Sequence, residues 1–187
     1  MLLLCCTKKL RDYWRIKVDR EDVSSTTVLG DWYANIVETH KGAVILCVNE
    51  YTRMSIVCQL SQNPAAFLAE FSIRMAILLK SMDIPDERIA QELKEMQEVV
   101  FRKTNSRSTL GTMNDFAYHI DGYIEDDYVY APVSFDQISG MLCDTPIGPK
   151  EYFFPTDRVY ERFGQEPKRW TATESVLFEG KVRRTRR

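Results

Sequence analysis

Apolar residues fall in short unbroken runs over the first sixty positions and at helical spacing after that. Met1 to Cys5 is continuously apolar, as a short buried strand is. Thr7 follows as a cap, and the spacing predicts a helix to about Trp14 with Leu10, Tyr13 and Trp14 turned inward. Residues 17–30 are polar and read as a mobile loop. Three strands come next: Trp32 to Thr39, Ala43 to Val48, and Arg53 to Leu60. The turns His40-Lys41-Gly42 and Asn49 to Thr52 are short enough to make these an antiparallel meander. Val44 to Val48 has no polar residue, so this strand is expected at the centre of a sheet covered on both faces.

Helical periods dominate the rest. Asn63-Pro64 starts a helix that runs to about Met82. Its wide apolar face holds Phe67, Leu68, Phe71, Met75, Leu78, Leu79 and Met82, and Ile73 and Ile77 add apolar surface on a neighbouring face. Pro85 opens a second helix with Ile89, Leu93 and Met96 inward and acids in its first turn. Glu98 to Lys103 reads as a strand. From Ser108 to Ile124 the stripe Leu110, Met113, Ala117, Ile120, Ile124 marks a helix. Glu125-Asp126-Asp127 suits an exposed acidic loop. Ser134-Phe135-Asp136-Gln137 is a capping box for a helix ending near Cys143, flanked by Val133 and Ile138. Thr156 caps a last short helix, which Gly164 stops. The order is strand, helix, three strands, two helices, strand, three helices. It predicts an α+β fold with a mostly antiparallel sheet of four to five strands packed by helices. Residues 1–165 are expected to form a single domain and 166–187 a basic flexible tail.

The chain resembles the bacterial family catalogued as domain of unknown function 6933. The resemblance rests on Leu3-Leu4-Cys5-Cys6-Thr7-Lys8-Lys9-Leu10, Trp32-Tyr33-Ala34-Asn35, Val48-Asn49 with Thr52-Arg53, and Arg107-Ser108-x-x-Gly111-x-x-Asn114. It covers about residues 1–165 and implies the same single-domain fold. It implies no activity.

Composition adds little until it is divided. Of 187 residues, 44% are hydrophobic and 28% charged, as in ordinary globular proteins, which excludes a collagen-like or wholly disordered chain. The net charge of −2 conceals an asymmetry. Residues 166–187 hold seven bases and three acids, net +4, leaving 18 bases and 24 acids, net −6, in the first 165. A tail carrying Lys181, Arg183, Arg184, Arg186 and Arg187 suits an acidic partner or a nucleic acid. Five cysteines without a C-x-x-C pair, and two histidines without ligand spacing, point to free thiols and no metal. No apolar run is long enough to span a bilayer and no secretory signal opens the chain, so a cytoplasmic protein without membrane contact is expected.

The candidate chemistry is sparse. Thr7-Lys8-Lys9 and Ser106-Arg107-Ser108 each follow a strand and open a helix, where free N–H groups attract anions. If the two strands lie parallel and adjacent, both starts emerge at one sheet edge, where Asn49 and Arg53 can join them. The plainer reading pairs Lys8 with Asp12 and leaves the rest to solvent. Cys6, beside two lysines at a helix start, is a candidate reactive thiol, but only His40 and His119 offer a base. His119 reads as a boundary residue near Asp115. Asp121, Glu125, Asp126 and Asp127 lack a calcium-loop pattern. Trp32 and Tyr33 read as packing rather than as a base-stacking platform. No P-loop, dinucleotide fingerprint or nucleophile elbow is present, and no cofactor is expected. The leading expectation is a non-enzymatic binding protein with a protein or nucleic-acid partner. The alternative is a small enzyme or sensor for a phosphate-bearing ligand held at the two helix starts.

Overall fold

The computed structural model describes residues 1–18, 23–125, 133–148 and 152–167. Among them are five strands and six helices: β1 (Leu2–Cys6), α1 (Lys8–Trp14), β2 (Trp32–Thr39), β3 (Gly42–Asn49), β4 (Ser55–Gln59), α2 (Pro64–Ser81), α3 (Asp86–Glu95), β5 (Val99–Lys103), α4 (Arg107–Glu125), α5 (Phe135–Cys143) and α6 (Pro155–Arg162). The five strands form one sheet in the order β4-β3-β2-β1-β5. β2, β3 and β4 make the antiparallel meander, with Ile36 opposite Ile45 and Cys47 opposite Ile56. β1 is parallel to both its neighbours, pairing Cys5 with Tyr33 on one side and with Arg102 on the other. The sheet is therefore mixed: the meander is antiparallel and the β1 pairings are parallel.

Alternation along the strands sorts side chains to two faces. Leu4, Trp32, Ile45 and Ile56 join one core cluster with residues of α1, α2, α3 and α6. Cys5, Tyr33, Leu46 and Val57 join the other with α4 and α5. Covering both faces is what the unbroken apolar run of β3 requires.

α2 begins at Asn63, whose Oδ1 accepts Ala65 N–H at 2.9 Å, with Pro64 in the first turn. It buries Phe67, Phe71, Met75 and Leu79 completely. Phe71 meets the Trp32 ring edge-on with centroids 5.0 Å apart. Ile73 and Ile77, on the neighbouring face, are not buried. They are 61% and 47% exposed, because the helix lies on one sheet and its opposite side faces out. For the same reason Leu10 and Trp14 are buried on α1 while Tyr13 is exposed. α5 carries the full capping box, and Ser134 Oγ accepts Gln137 N–H at 3.2 Å. α6 starts at Pro155, one residue before the expected cap Thr156, and Gly164 in a left-handed conformation (φ 66°) ends it.

Of the loop expected at 17–30, residues 19–22 lie outside the described residues, and 23–30 form a loop that is pinned. Thr26 N–H bonds Met1 O at 3.0 Å, and the buried Glu92 accepts Val28 N–H at 2.6 Å and Leu29 N–H at 3.2 Å. The acidic residues Asp126 and Asp127 and most of the basic tail, from Lys168 onward, lie outside the described residues. No described helix is long and apolar enough to cross a membrane.

Candidate functional site

The turn between β3 and β4 organises the most elaborate polar surface. Asn49 ends β3 and is fully buried. Its Oδ1 accepts Tyr51 N–H at 3.1 Å, Thr52 N–H at 2.8 Å and the Thr52 hydroxyl at 2.9 Å. Its amide donates to Leu29 O at 3.0 Å and Asp31 O at 3.1 Å. With its hydrogen bonds spent on the fold, Asn49 shapes the turn rather than a ligand. The turn closes at Arg53, a non-glycine residue in the left-handed region (φ 63°), which costs about 1 kcal/mol or more.

That conformation sends the Arg53 guanidinium to the start of α4. Nη1 donates to Thr109 Oγ1 at 2.5 Å and to Glu50 O, and Nη2 donates to Ser108 Oγ at 3.1 Å. Ser106 Oγ accepts Thr109 N–H at 3.3 Å, as a capping side chain does, and the Thr109 hydroxyl at 2.9 Å. The buried Tyr33 fixes this corner from below: its hydroxyl accepts Ser106 N–H at 3.2 Å and faces the carboxylate of Glu50 at 3.2 Å and Asn105 Oδ1. Burial pushes the Tyr33 phenol well above its usual range, with Cys5 and Glu50 adding to the shift, so the group stays protonated.

Beside the turn stands a layer of guanidinium and aromatic groups. Arg158 of α6 lies 3.4 Å from the centroid of Phe153 and 5.6 Å from that of Tyr51, and its Nη1 donates to Tyr51 O at 3.0 Å. Arg162, one helical turn on, lies 5.0 Å from the Tyr51 ring. Tyr51, Tyr152 and Phe154 are exposed. Among the described residues no carboxylate comes within 4 Å of Arg53, Arg107, Arg158 or Arg162. Burial lowers the proton affinity of Arg53, Glu50 raises it, and the charge of Arg158 lowers it, so these two arginines feel each other.

A groove of about 680 Å³ adjoins this face, between α4 and residues 145–148. Ser108, Gly111, Asn114, Asp115, Tyr118 and His119 line its helix side. Asp115 and His119 share the groove without a hydrogen bond between them; the His119 ring lies against Tyr123, centroids 6.2 Å apart. Two links tie groove to arginine face. Ser108 belongs to both, and Ile147 on the far wall forms a two-bond bridge, 2.9 Å each way, with the Phe153 under Arg158.

The other sequence candidates lie apart from this corner. β1 and β5 are adjacent and parallel, as the two-start site requires, but α1 and α4 lie on opposite faces of the sheet. Thr7 caps α1 by accepting Leu10 N–H at 3.5 Å and donates to Asn35 Oδ1 at 2.7 Å. Lys8 bonds Asp12 at 2.5 Å, and Lys9 bonds Glu38 at 2.7 Å. Arg53, Ser106 and Ser108 do come together. Cys6 is fully buried and donates to Leu4 O at 3.7 Å, and burial pushes its thiol up to about 12, opposite to the activation a reactive thiol needs. Asp121 bonds the exposed His40, and the described residues contain no cluster of three metal-ligating side chains. Sequence reading missed Tyr51, Phe153, Arg158 and Arg162. The four-residue spacing of the two arginines on a short helix was the one available signal.

Fold and site together define a mixed-sheet α+β protein with an arginine–aromatic corner beside a polar groove. The chain belongs to the family described as Domain of unknown function (DUF6933), which matches residues 3–158. The matched span holds the turn, the groove and Arg158, and it excludes Arg162 and the basic tail. No curated protein and no solved structure matches the chain.

Proposed function

We propose that this protein is a non-enzymatic binding protein whose partner is a nucleic acid, held by the corner formed by the β3–β4 turn, residues 152–154 and α6. The observation that carries this reading is the gathering of Arg53, Arg158 and Arg162 around the β3–β4 turn with no carboxylate within 4 Å among the described residues, while Lys8, Lys9, Arg74 and Lys80 elsewhere are each paired. Unneutralised guanidinium groups near one another repel, and a phosphate backbone relieves that repulsion while releasing counterions. Stacking on Phe153 presets Arg158 in a planar orientation and leaves the half-exposed Tyr51 beside it. Residues 166–187, which follow α6 in the sequence, carry a net charge of +4 and would strengthen the attraction of a polyanion.

The alternative, a phosphate ligand held jointly by two helix starts, has less support, since Lys8 and Lys9 already hold carboxylates and α1 has only seven residues. The test is fluorescence anisotropy of a labelled 12-nucleotide RNA of mixed sequence. Affinity should fall steeply between 50 and 200 mM salt, by roughly ten-fold or more. Arg158→Glu with Arg162→Glu should weaken binding by a further factor of about ten. Binding that is absent, or equally tight in the double variant, overturns the proposal.

A further inference from the structure

We infer that the groove along α4 receives an unpaired nucleobase, so that the nucleic acid held by the arginine corner is single-stranded; this rests on the reading of that corner as a phosphate-binding face. The two surfaces differ in chemistry while sharing atoms. The corner is cationic. Among the described residues the groove lining has neither lysine nor arginine, and its charged side chain is Asp115. Ser108, Asn114, Tyr118 and Thr145 add hydroxyl and amide groups that both donate and accept. That is the complement of a base edge, which is neutral and presents donors beside acceptors. Tyr118, 82% exposed, offers a ring for stacking, and the volume of about 680 Å³ exceeds what one base needs.

Gly111 leaves the groove floor free of a side chain. It sits in the fifth position of a 19-residue helix, where glycine costs roughly 1 kcal/mol against alanine. A Cβ added there would meet no neighbouring atom within 4 Å, as at Gly122 and Gly140, so the helix backbone is open to the groove at this point. Gly111 lies on the same helix face as Ser108, whose hydroxyl is bonded to Arg53 at 3.1 Å, so a strand whose phosphate meets the arginine corner has its next base at the groove mouth. Paired bases inside a duplex cannot turn out to enter it without the cost of unpairing.

The test compares three probes on the full chain: a 12-nucleotide mixed-sequence RNA strand, the blunt duplex of that sequence, and inorganic polyphosphate. The strand should bind at least about five-fold tighter than the duplex, the loss expected for one stacked base. Asn114→Ala with Tyr118→Ala should remove that preference and leave polyphosphate binding unchanged. Both side chains are exposed, so thermal stability should hold. Gly111→Leu, which fills the groove from a position with open space, should have the same effect by a different route. Strand and duplex binding equally, with both groove variants silent, overturns the inference and leaves the phosphate face standing. Failure of all three probes to bind overturns both.

Discussion

The carboxylate of Glu92, fully buried on α3, accepts the backbone N–H of Val28 at 2.6 Å. With the second bond to Leu29, this ties the loop before β2 to a helix more than sixty residues later. Burial raises the Glu92 carboxyl from its ordinary value near 4.5, and the two backbone bonds hold it down only partly. Glu92→Ala leaves two buried N–H groups without acceptors and should cost about 2–4 kcal/mol in urea unfolding. A raised folded-state value means that the folded protein binds the proton more tightly than the unfolded chain does. The stability Glu92 contributes is then full below pH 4.5 and declines as pH rises through the folded value. The gap between wild type and variant should narrow in the same direction. A gap that widens with rising pH would show that the backbone bonds outweigh burial.

The opposite sign applies to Asp121. His40 holds it through both its backbone N–H at 3.0 Å and its ring Nδ1 at 2.8 Å, and these bonds lower the carboxyl below 3.8. The contribution is present above that value and is lost as pH falls through the lower, folded one. Asp121→Asn should lower the melting temperature slightly at neutral pH, less so in high salt, and should match wild type in strong acid. Scanning calorimetry across that range checks the crossing.

The two sides of α2 should respond unequally. Phe71→Ala opens a cavity under Trp32 and should cost about 3–5 kcal/mol. Ile73→Ala, at a position 61% exposed, should change stability by less than about 0.5 kcal/mol. Denaturant midpoints decide it, and comparable losses would place a partner or core against the outer side of the helix.

All five cysteines are buried, and the thiols of Cys5, Cys6 and Cys143 are each pushed to about 12 by burial. A thiol reagent at pH 8 should label the native protein only at the rate of opening, with all five sites reacting promptly in denaturant. Fast labelling of Cys6 in the native state would restore it as a reactive group.

Periodicity made every described strand and helix legible, because runs such as Val44 to Val48 and stripes such as Met113 to Ile120 are direct imprints of burial. The outward turn of Ile73 and Ile77 was hidden, since α2 is apolar around most of its girth and spacing cannot say which side meets the sheet. The parallel pairing of β1 was legible only as a condition, because nothing local to Leu2–Cys6 names a partner nearly a hundred residues away. The same limit applies to the site. Arg53, Ser106 and Ser108 were visible as cations and hydroxyls at a turn and a helix start. Their union with Arg158 and Phe153 joins residues far apart in the sequence, a relation only packing creates.

β5 is joined to the sheet through β1 alone, and β1 is the first strand of the chain. A growing polypeptide can zip the β2–β4 meander from local turns, but β1 has its second neighbour only after residue 103 exists. β1 is therefore flanked on both sides only once β5 pairs with it. Because β5 leads directly into Ser106 and α4, seating it is also what delivers that helix start to Arg53. The α4 side of the candidate site thus hangs on the β1–β5 pairing, and loosening that pairing would displace the Ser108 and Thr109 partners of Arg53 while leaving the β2–β4 meander paired.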